Sequence, residues 1–434
     1  MSTAEAPARS QPAPQAAAPE APASSHVAHC RFCNAALQHS FVDLGMSPLC
    51  QTHIEPDELN HMEPFYPLHA WVCHECFLVQ LEQYVGPADI FSDYAYFSSY
   101  SDSWVAHARR YVEQVSRRFA LGKSSKVMEI ASNDGYLLQH FVAAGVPCLG
   151  IEPAANVAEV ARGRGIPTTV MFFGVKTAQA IAAEHGKADL LLGNNVLAHV
   201  PDINDFVGGM RQLLKAGGVI TMEFPHLQQL MEQNQFDTIY HEHFSYLSLI
   251  TVERIFRHHG LVLFDVEELP THGGSLRIYA RHVEDESKPV GERVTALRER
   301  ELRKGFNRLE TYAAFTEQVR ETKRRLLEFL IEAKRAGKKV VGYGAPGKGN
   351  TLLNYCGIRQ DFLDFTVDRS PHKQGRYTPG THIPILHPDE IKRARPDYVL
   401  ILPWNLREEI VSQMSYIREW GGRFVVPIPT TSVI

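Results

Sequence analysis

Several things are missing from this chain, and each absence removes a class of function. No apolar run approaches the roughly 20 residues needed to span a bilayer, and no short apolar core follows a basic N-terminus. The expected location is the cytoplasm, with no membrane partner. There is no excess of base: Lys and Arg number 44 against 49 Asp and Glu, so neither nucleic acid nor anionic lipid is an expected partner at a net charge of −5. Cysteine is sparse, and in a reducing compartment the seven present are expected to be reduced or metal-bound rather than paired. Large apolar side chains are almost absent from residues 1–27, a run of Ala, Pro, Ser and Gln that buries too little to offset the entropy of ordering. A disordered tail is expected there. A transit peptide is a poorer reading, since Arg9 is its one strong base and Glu5 and Glu20 oppose it.

What is present begins with Lys126-Val-Met-Glu-Ile-Ala-Ser-Asn-Asp-Gly-Tyr-Leu-Leu-Gln-His-Phe141. The pattern predicts a strand to Ile130, a tight loop through Ser132-Asn133-Asp134-Gly135, and a helix on which Leu137, Leu138 and Phe141 share a face. Such a loop turns backbone N–H groups and a helix N-terminus toward an anionic ligand, and Gly135 permits close approach. About twenty residues on, Cys148-Leu-Gly-Ile ends at Glu152, whose carboxylate can accept both hydroxyls of a ribose. The run from Ala188 to Asp202 sets Asn194, Asn195 and His199 just past another buried strand, at the edge where open α/β sheets bind ligands. The order of these elements resembles class I S-adenosylmethionine-dependent methyltransferases, with Glu129 opening the cofactor loop. Ala131 and Asn133 stand where that class usually carries two glycines.

Cys30-Arg-Phe-Cys33 and Cys73-His-Glu-Cys76 form two knuckles about forty residues apart, the spacing of a closed, structural Zn²⁺ site with four thiolates. The bland alternative is two unrelated redox or buried pairs. Cys50, between them, reads as a small buried residue. Residues 89–100 are rich in Tyr and Phe, and Tyr94 is a candidate for a sugar pocket. Tyr240-His-Glu-His-Phe-Ser-Tyr246 crowds titratable groups in a way suited to proton transfer and lacks the i,i+4 histidine pair of metalloproteases. From about Gly291 to Arg335 the apolar positions, Leu302, Phe306, Leu309, Phe315, Val319, Leu326 and Leu330, mark one stripe of a charged helical connector. Next, Gly342, Gly344 and Gly347 match Gly-x-Gly-x-x-Gly between a strand and a helix, and Asp368 ends the following strand. That loop, with Lys348, could hold a dinucleotide or a sugar nucleotide's diphosphate, or could be a packing turn.

Taken together, the paired knuckles, Glu-Ile-x-Ser-Asn-Asp-Gly, Asn-Asn-Val-Leu-Ala-His-Val-Pro-Asp, Tyr-His-Glu-His and Gly-Tyr-Gly-Ala-x-x-Lys-Gly-Asn-Thr-Leu-Leu-Asn are similar to one family. It is the zinc-containing sugar-nucleotide C-methyltransferases of branched deoxysugar biosynthesis, the C-3 methyltransferases of pathways to sugars such as mycarose and tetronitrose. The resemblance runs from Cys30 nearly to the end. It implies an α/β protein with a zinc-binding module at residues 28–88, a class I, Rossmann-like S-adenosylmethionine domain at 89–284, a helical connector at 285–335 and a second Rossmann-like α/β domain at 336–434 that helps hold the nucleotide sugar. It further implies C-3 methylation of a nucleotide-linked, expectedly dTDP-linked, 4-keto-deoxysugar, with His243 as base. Tyr94, His199, Tyr240 and Glu242 line the same pocket. Cofactor contacts fall on Glu129, Asn133, Asp134, Gly135, Glu152, Asn194 and Asn195, and substrate contacts on Tyr94, His241, Gly344, Lys348 and Asn350. A monomer is expected. Two departures stand out: a tail precedes His29, and Cys50-Gln51 occupies the place where the resemblance leads one to expect Ala-Asn. The rival readings are an O- or N-methyltransferase, an NAD-dependent dehydrogenase using Gly342 to Gly349, and a scaffold without turnover.

Overall fold

The computed structural model describes residues 27–86 and 97–434. The tail reading of residues 1–26 and the candidate Tyr94 therefore lie outside the described residues. In chain order the strands are β1 (His39–Ser47), β2 (Tyr66–Val72) and β3 (Val79–Leu81); β4 (Val127–Ile130), β5 (Cys148–Ile151), β6 (Thr168–Thr169), β7 (Ala188–Asn194) and β8 (Leu214–Pro225); and β9 (Ser245–Tyr246), β10 (Leu261–Leu269) and β11 (Ser275–His282). The last part of the chain adds β12 (Val340–Tyr343), β13 (Thr366–Val367), β14 (Ile385–Leu386), β15 (Tyr398–Ile401), β16 (Arg423–Val426) and β17 (Ser432–Val433).

These strands make three sheets. The central one runs β6-β5-β4-β7-β8-β11-β10, with β11 antiparallel to both its neighbours. Its inner strands are apolar on both faces: β4 and residues 190–193 of β7 are buried throughout, as parallel strands covered by helices must be. Strand order reverses between β4 and β7, and a ligand crevice opens beyond the C-terminal ends of strands at such a point. The last sheet runs β14-β13-β12-β15-β16-β17, a doubly wound order whose own reversal falls between β12 and β15, with β17 alone antiparallel.

The first sheet joins two distant parts of the chain. Strands β1, β2 and β3 form an antiparallel meander, and its fourth strand is β9, supplied from within the central domain. A bulge in β1 between Ser40 and Val42 lets Phe41 and Val42 both turn inward. Phe41 stacks on Phe315, with ring centroids 4.8 Å apart, and so closes the core that the zinc module shares with the C-terminal unit. Cys30, Leu37 and Leu78 on the other side pack into the core of the central sheet. The module is thus a wedge between two α/β units.

The connector is not one helix. It comprises Glu292–Arg303, Leu309–Ala313 and Phe315–Arg335, broken where Gly305 takes φ +81° and a Cβ would meet Thr311 Oγ1 at 2.4 Å. Phe315, Val319, Leu326 and Leu330 form the expected stripe, whereas Leu302 is 40% exposed because it belongs to the preceding helix. Among the described residues no helix is long and apolar enough to cross a membrane. Phe41→Ala should lower the unfolding free energy by about 3–5 kcal/mol through the cavity it leaves against Phe315 and Tyr312. Urea denaturation would read this, and an unchanged midpoint would show that the seam contributes nothing.

Candidate active site

The crevice at β4 carries the residues expected for a cofactor. Ala131, Asn133 and Gly135 all have positive φ, at 55°, 49° and 78°. The loop therefore keeps the left-handed path that glycine favours while using glycine only at the third position, where a Cβ would fall 2.3 Å from Ile166 Cδ1. Glu152 accepts the N–H groups of Asn133 and Ala154, each at 2.9 Å, and its two oxygens retain lone pairs toward the crevice. Asn133 Oδ1 accepts Ser98 N at 2.8 Å, Asp134 accepts the hydroxyl of Ser99, and Arg164 lies 3.3 Å from Asp134. Glu129 is fully buried with neither carboxylate oxygen bonded, and burial, then the charges of Glu152 and Asp134, pushes its pKa well up. An orphaned acid of that kind fits the cationic amino end of S-adenosylmethionine, and Glu152 fits the ribose. Asn194 donates to Tyr136 Oη at 3.2 Å, and Asn195, at φ 53°, meets His272 Nε2 at 2.9 Å.

The segment Tyr240–His243 leads straight into β9, so its backbone is fixed from both sides. Leu81 N donates to Phe244 O at 3.0 Å and Phe244 N to Ala198 O at 2.7 Å. The Nδ1–H of His243 donates to Thr238 O at 2.8 Å, which leaves Nε2 with its lone pair. Its ring lies 4.6 Å from that of His199 and 4.0 Å from that of Tyr240. Burial, then the neighbouring His199, Lys348 and His272, holds the His243 pKa well below the usual value, and burial takes His199 down to about 4. Both imidazoles are neutral at pH 7. Glu242 is buried and pushed up to about 7, against hydrogen bonds from Cys50 and Gln51; the Cys50 thiol lies 3.7 Å from Oε1. His241 faces elsewhere. Its Nε2–H donates to Pro67 O at 3.1 Å and its ring meets Tyr66 and Tyr84, which places it in the seam with the zinc module rather than beside His243.

The glycine-rich loop of the C-terminal unit closes onto this segment. Thr351 donates to Ile239 O at 3.2 Å, and Asn350 Nδ2 to Cys50 O at 2.6 Å. A Cβ on Gly347 would lie 2.8 Å from Cys50 Sγ, and Gly344, at φ +88°, abuts Pro403. Asp368, the acid a dinucleotide's ribose would need, instead accepts Ala345 N at 2.8 Å and Ser370 N at 2.9 Å and lies 3.5 Å from Lys373 Nζ. The loop and the start of its helix are thus packed against Cys50, Ile239 and Pro403. A cleft of about 870 Å³ opens alongside, between the central and C-terminal units, lined among others by Gln229, Gln235, Gly273, Trp404, Asn405 and Arg407. Lys348 reaches its edge: Nζ donates to Asn405 Oδ1 at 3.0 Å and lies 4.7 Å from the Trp404 ring.

The four knuckle sulfurs lie within 4.8 Å of one another, with Cys30–Cys76 at 3.5 Å and Cys33–Cys73 at 3.4 Å. Tetrahedral zinc with bonds of about 2.3 Å needs sulfurs about 3.7 Å apart, so the donor set fits a closed site. Gln80 Nε2 donates to Cys30 Sγ at 3.2 Å while its Oε1 accepts Arg31 N at 2.9 Å, and Gln80 is a residue of β3. The knuckle is thereby linked to the strand that holds β9.

Sequence reasoning missed a polar group at the end of β8. Buried Glu223 binds Arg277 Nη2 at 2.6 Å, His107 Nε2 at 3.0 Å and Thr271 Oγ1 at 2.9 Å. Burial opposes its charge, yet the His107 contact and Arg277 bring its pKa down to about 2. His272, at φ 55°, sits on the adjoining turn with Trp104 against its ring. Its signal was the Thr-His-Gly-Gly run at 271–274, whose paired glycines mark a tight backbone turn.

Three family models match the chain: a zinc binding domain at residues 30–91, a methyltransferase domain at 104–266 and a C-methyltransferase C-terminal domain at 270–429. The C-methyltransferase NovU of Streptomyces niveus is 35% identical over 407 residues, covering 93% of this chain and 96% of that protein. A ubiquinone biosynthesis O-methyltransferase of Chelativorans sp. (strain BNC1) is 29% identical over 96 residues, 22% of this chain and 38% of that one. The crystal structure of the PH0226 protein from Pyrococcus horikoshii OT3 aligns at a TM-score of 0.36 and 14% identity, over 45% of this chain and 97% of that one.

Two outcomes follow from the geometry. Ala131→Gly should raise the unfolding free energy by up to about 1 kcal/mol, because a left-handed alanine is strained, and should leave S-adenosylmethionine affinity unchanged by calorimetry. Stripping zinc with a chelator should lower the melting midpoint by roughly 5–10 °C for the loss of a few kcal/mol, and methyl transfer should fall with zinc content because β3 anchors β9. Full activity in a metal-free sample would refute that coupling.

Proposed function

Because the chain belongs to the family of zinc-binding, S-adenosylmethionine-dependent C-methyltransferases, we propose that it methylates a nucleotide-linked 4-keto-deoxysugar at C-3, with dTDP as the expected nucleotide. The observation that carries the reading is the placement of His243: its Nδ1–H is spent on Thr238 O, Nε2 keeps its lone pair, and the ring lies beside those of His199 and Tyr240. A ketone at C-4 acidifies the C-3 proton, so a single base with stabilisation of the enolate makes carbon the nucleophile. His243 takes the proton at Nε2. Glu242, titrating near neutrality, supports the imidazole cluster once it becomes charged. His199 and Tyr240 hydrogen-bond the oxygen of the ring ketone. S-adenosylmethionine, held by Glu129, Asn133, Asp134, Gly135, Glu152, Asn194 and Asn195, supplies the electrophilic methyl. The chain orients the sugar carbon in line with it, and the cleft of about 870 Å³ beside Trp404 has room for the nucleotide.

An amine or hydroxyl acceptor would give an N- or O-methyl product, and an amine would need no such base. Incubation with a panel of dTDP-4-keto-6-deoxyhexoses in D₂O separates these readings by mass spectrometry. Deuterium uptake without cofactor and a gain of one methyl on carbon with it are expected. His243→Asn should lower both by at least about 10²-fold while calorimetry shows S-adenosylmethionine binding intact. A variant that keeps most of its exchange rate would overturn the base assignment.

A further inference from the structure

Lys348 is the second residue of the helix Gly347–Cys356, and that helix is held on two sides. Thr351 ties it to Ile239, next to Tyr240, and Asn350 ties it to Cys50, whose thiol touches Glu242. The first turn of the helix is consequently held against the base segment. The contacts of the Lys348 ammonium are neutral: the amide oxygen of Asn405 at 3.0 Å and the face of Trp404, 4.7 Å from the ring centroid. Among the described residues no carboxylate stands within ion-pair distance of it. The acid whose charge bears on it, Asp237, spends Oδ2 on Trp404 Nε1 at 2.7 Å and is pushed by burial up to about 7. A half-buried cation without a counter-ion among the described residues favours an anionic ligand.

The proposed reaction offers two anions, a permanent diphosphate and a transient enolate oxygen. The titratable groups that share the Lys348 field are Asp237, His243 and His272. The ketone oxygen is two bonds from the carbon that His243 would deprotonate; the first phosphorus is four. Trp404, on whose face the ammonium lies, also donates to Asp237, the residue before the Thr238 whose carbonyl holds His243, so the cation stands on the side of the base and is better sited for the oxygen. We propose that Lys348 is a catalytic residue of the proton-transfer half, its ammonium facing the oxygen that becomes the enolate when His243 takes the proton, rather than a clamp on the diphosphate.

This rests on the C-methylation reading above. When the C–H bond breaks, the proton goes to His243 Nε2 and the electron pair spreads onto the oxygen beside Nζ. When the new C–C bond forms, that pair returns to carbon, the ketone is restored, and the C–S pair leaves with sulfur. Lys348 keeps its protons throughout.

The test compares wild type with Lys348→Met and Lys348→Arg, using Lys348→Gln if the Met variant does not fold. Three readouts are taken: dTDP affinity by calorimetry, C–H/D exchange of the keto sugar without S-adenosylmethionine, and kcat and KM with it. Loss of the charge should lower exchange and kcat together by about 10²–10³-fold and leave dTDP affinity within about twofold. Arginine, which keeps the charge, should recover a large part of the loss. Tenfold weaker dTDP binding with kcat retained at saturating substrate would make Lys348 the diphosphate clamp and overturn the proposal. An arginine variant as inactive as methionine, with binding intact, would show that the positive charge does not account for the rate and would overturn it too. Wild type that neither exchanges nor methylates any sugar in the panel would bring down the C-methylation reading itself, and this role with it.

Discussion

The pairing of β3 with β9 is the contact on which the rest of the site depends. It is short, Val79 against Tyr246 and Gln80 against Ser245, but it joins three things that sequence keeps far apart. One end of β3 is coupled through Gln80 to the zinc knuckle, and β9 follows directly from Tyr240–His243. Arg31 reinforces the joint from the knuckle, donating to Pro201 O at 2.7 Å and lying over the ring of Phe244. A two-residue strand has little stability by itself. Its position holds because both ends are fixed by other cores, one with the zinc cysteines and one with Phe41 and Phe315.

That arrangement gives the zinc a role in geometry without a role in chemistry. Four thiolates leave no open coordination position, so a closed site of this kind neither activates water nor polarises a ketone. It sets the register of a sheet instead. The His243 backbone then approaches His199 through Phe244 N and Ala198 O, and the histidines converge although 43 residues separate them in sequence. Burial removes their charge, which suits a group that must begin as an acceptor.

Much of this was legible in advance, and the limits have physical causes. The strands at Val127, Cys148 and Ala188 announce themselves by apolar runs bounded by turn residues, and the structure puts strands there. The two knuckles announce a metal by spacing alone, and their sulfurs converge. The glycine triplet looked incomplete because a sequence displays residue types and not dihedrals; Ala131 and Asn133 adopt the glycine-like path anyway. Partners far apart in sequence were invisible for a different reason. Glu223 meets His107 and Arg277 across 116 and 54 residues, and no local periodicity encodes such a meeting. His241 illustrates the converse: two residues before the candidate base in sequence, it points toward Pro67 because the segment turns there, closed by His243 N–H to Tyr240 O at 2.8 Å, and the two rings leave the turn on different sides.

The glycine-rich loop carries the largest change of meaning. On paper its three glycines admit a dinucleotide, and the sheet behind them has the matching strand order. In space each glycine answers to protein: Gly342 to Thr366, Gly344 to Pro403 and Gly347 to Cys50. The close approach that glycine permits is used to bring the zinc module onto the helix N-terminus, and Cys50-Gln51, the pair that departs from the family resemblance, is what arrives there. Both side chains reach Glu242. The loop is therefore a joint between the module and the base segment, and any residue larger than glycine at 347 would push Cys50 away from the carboxylate it touches.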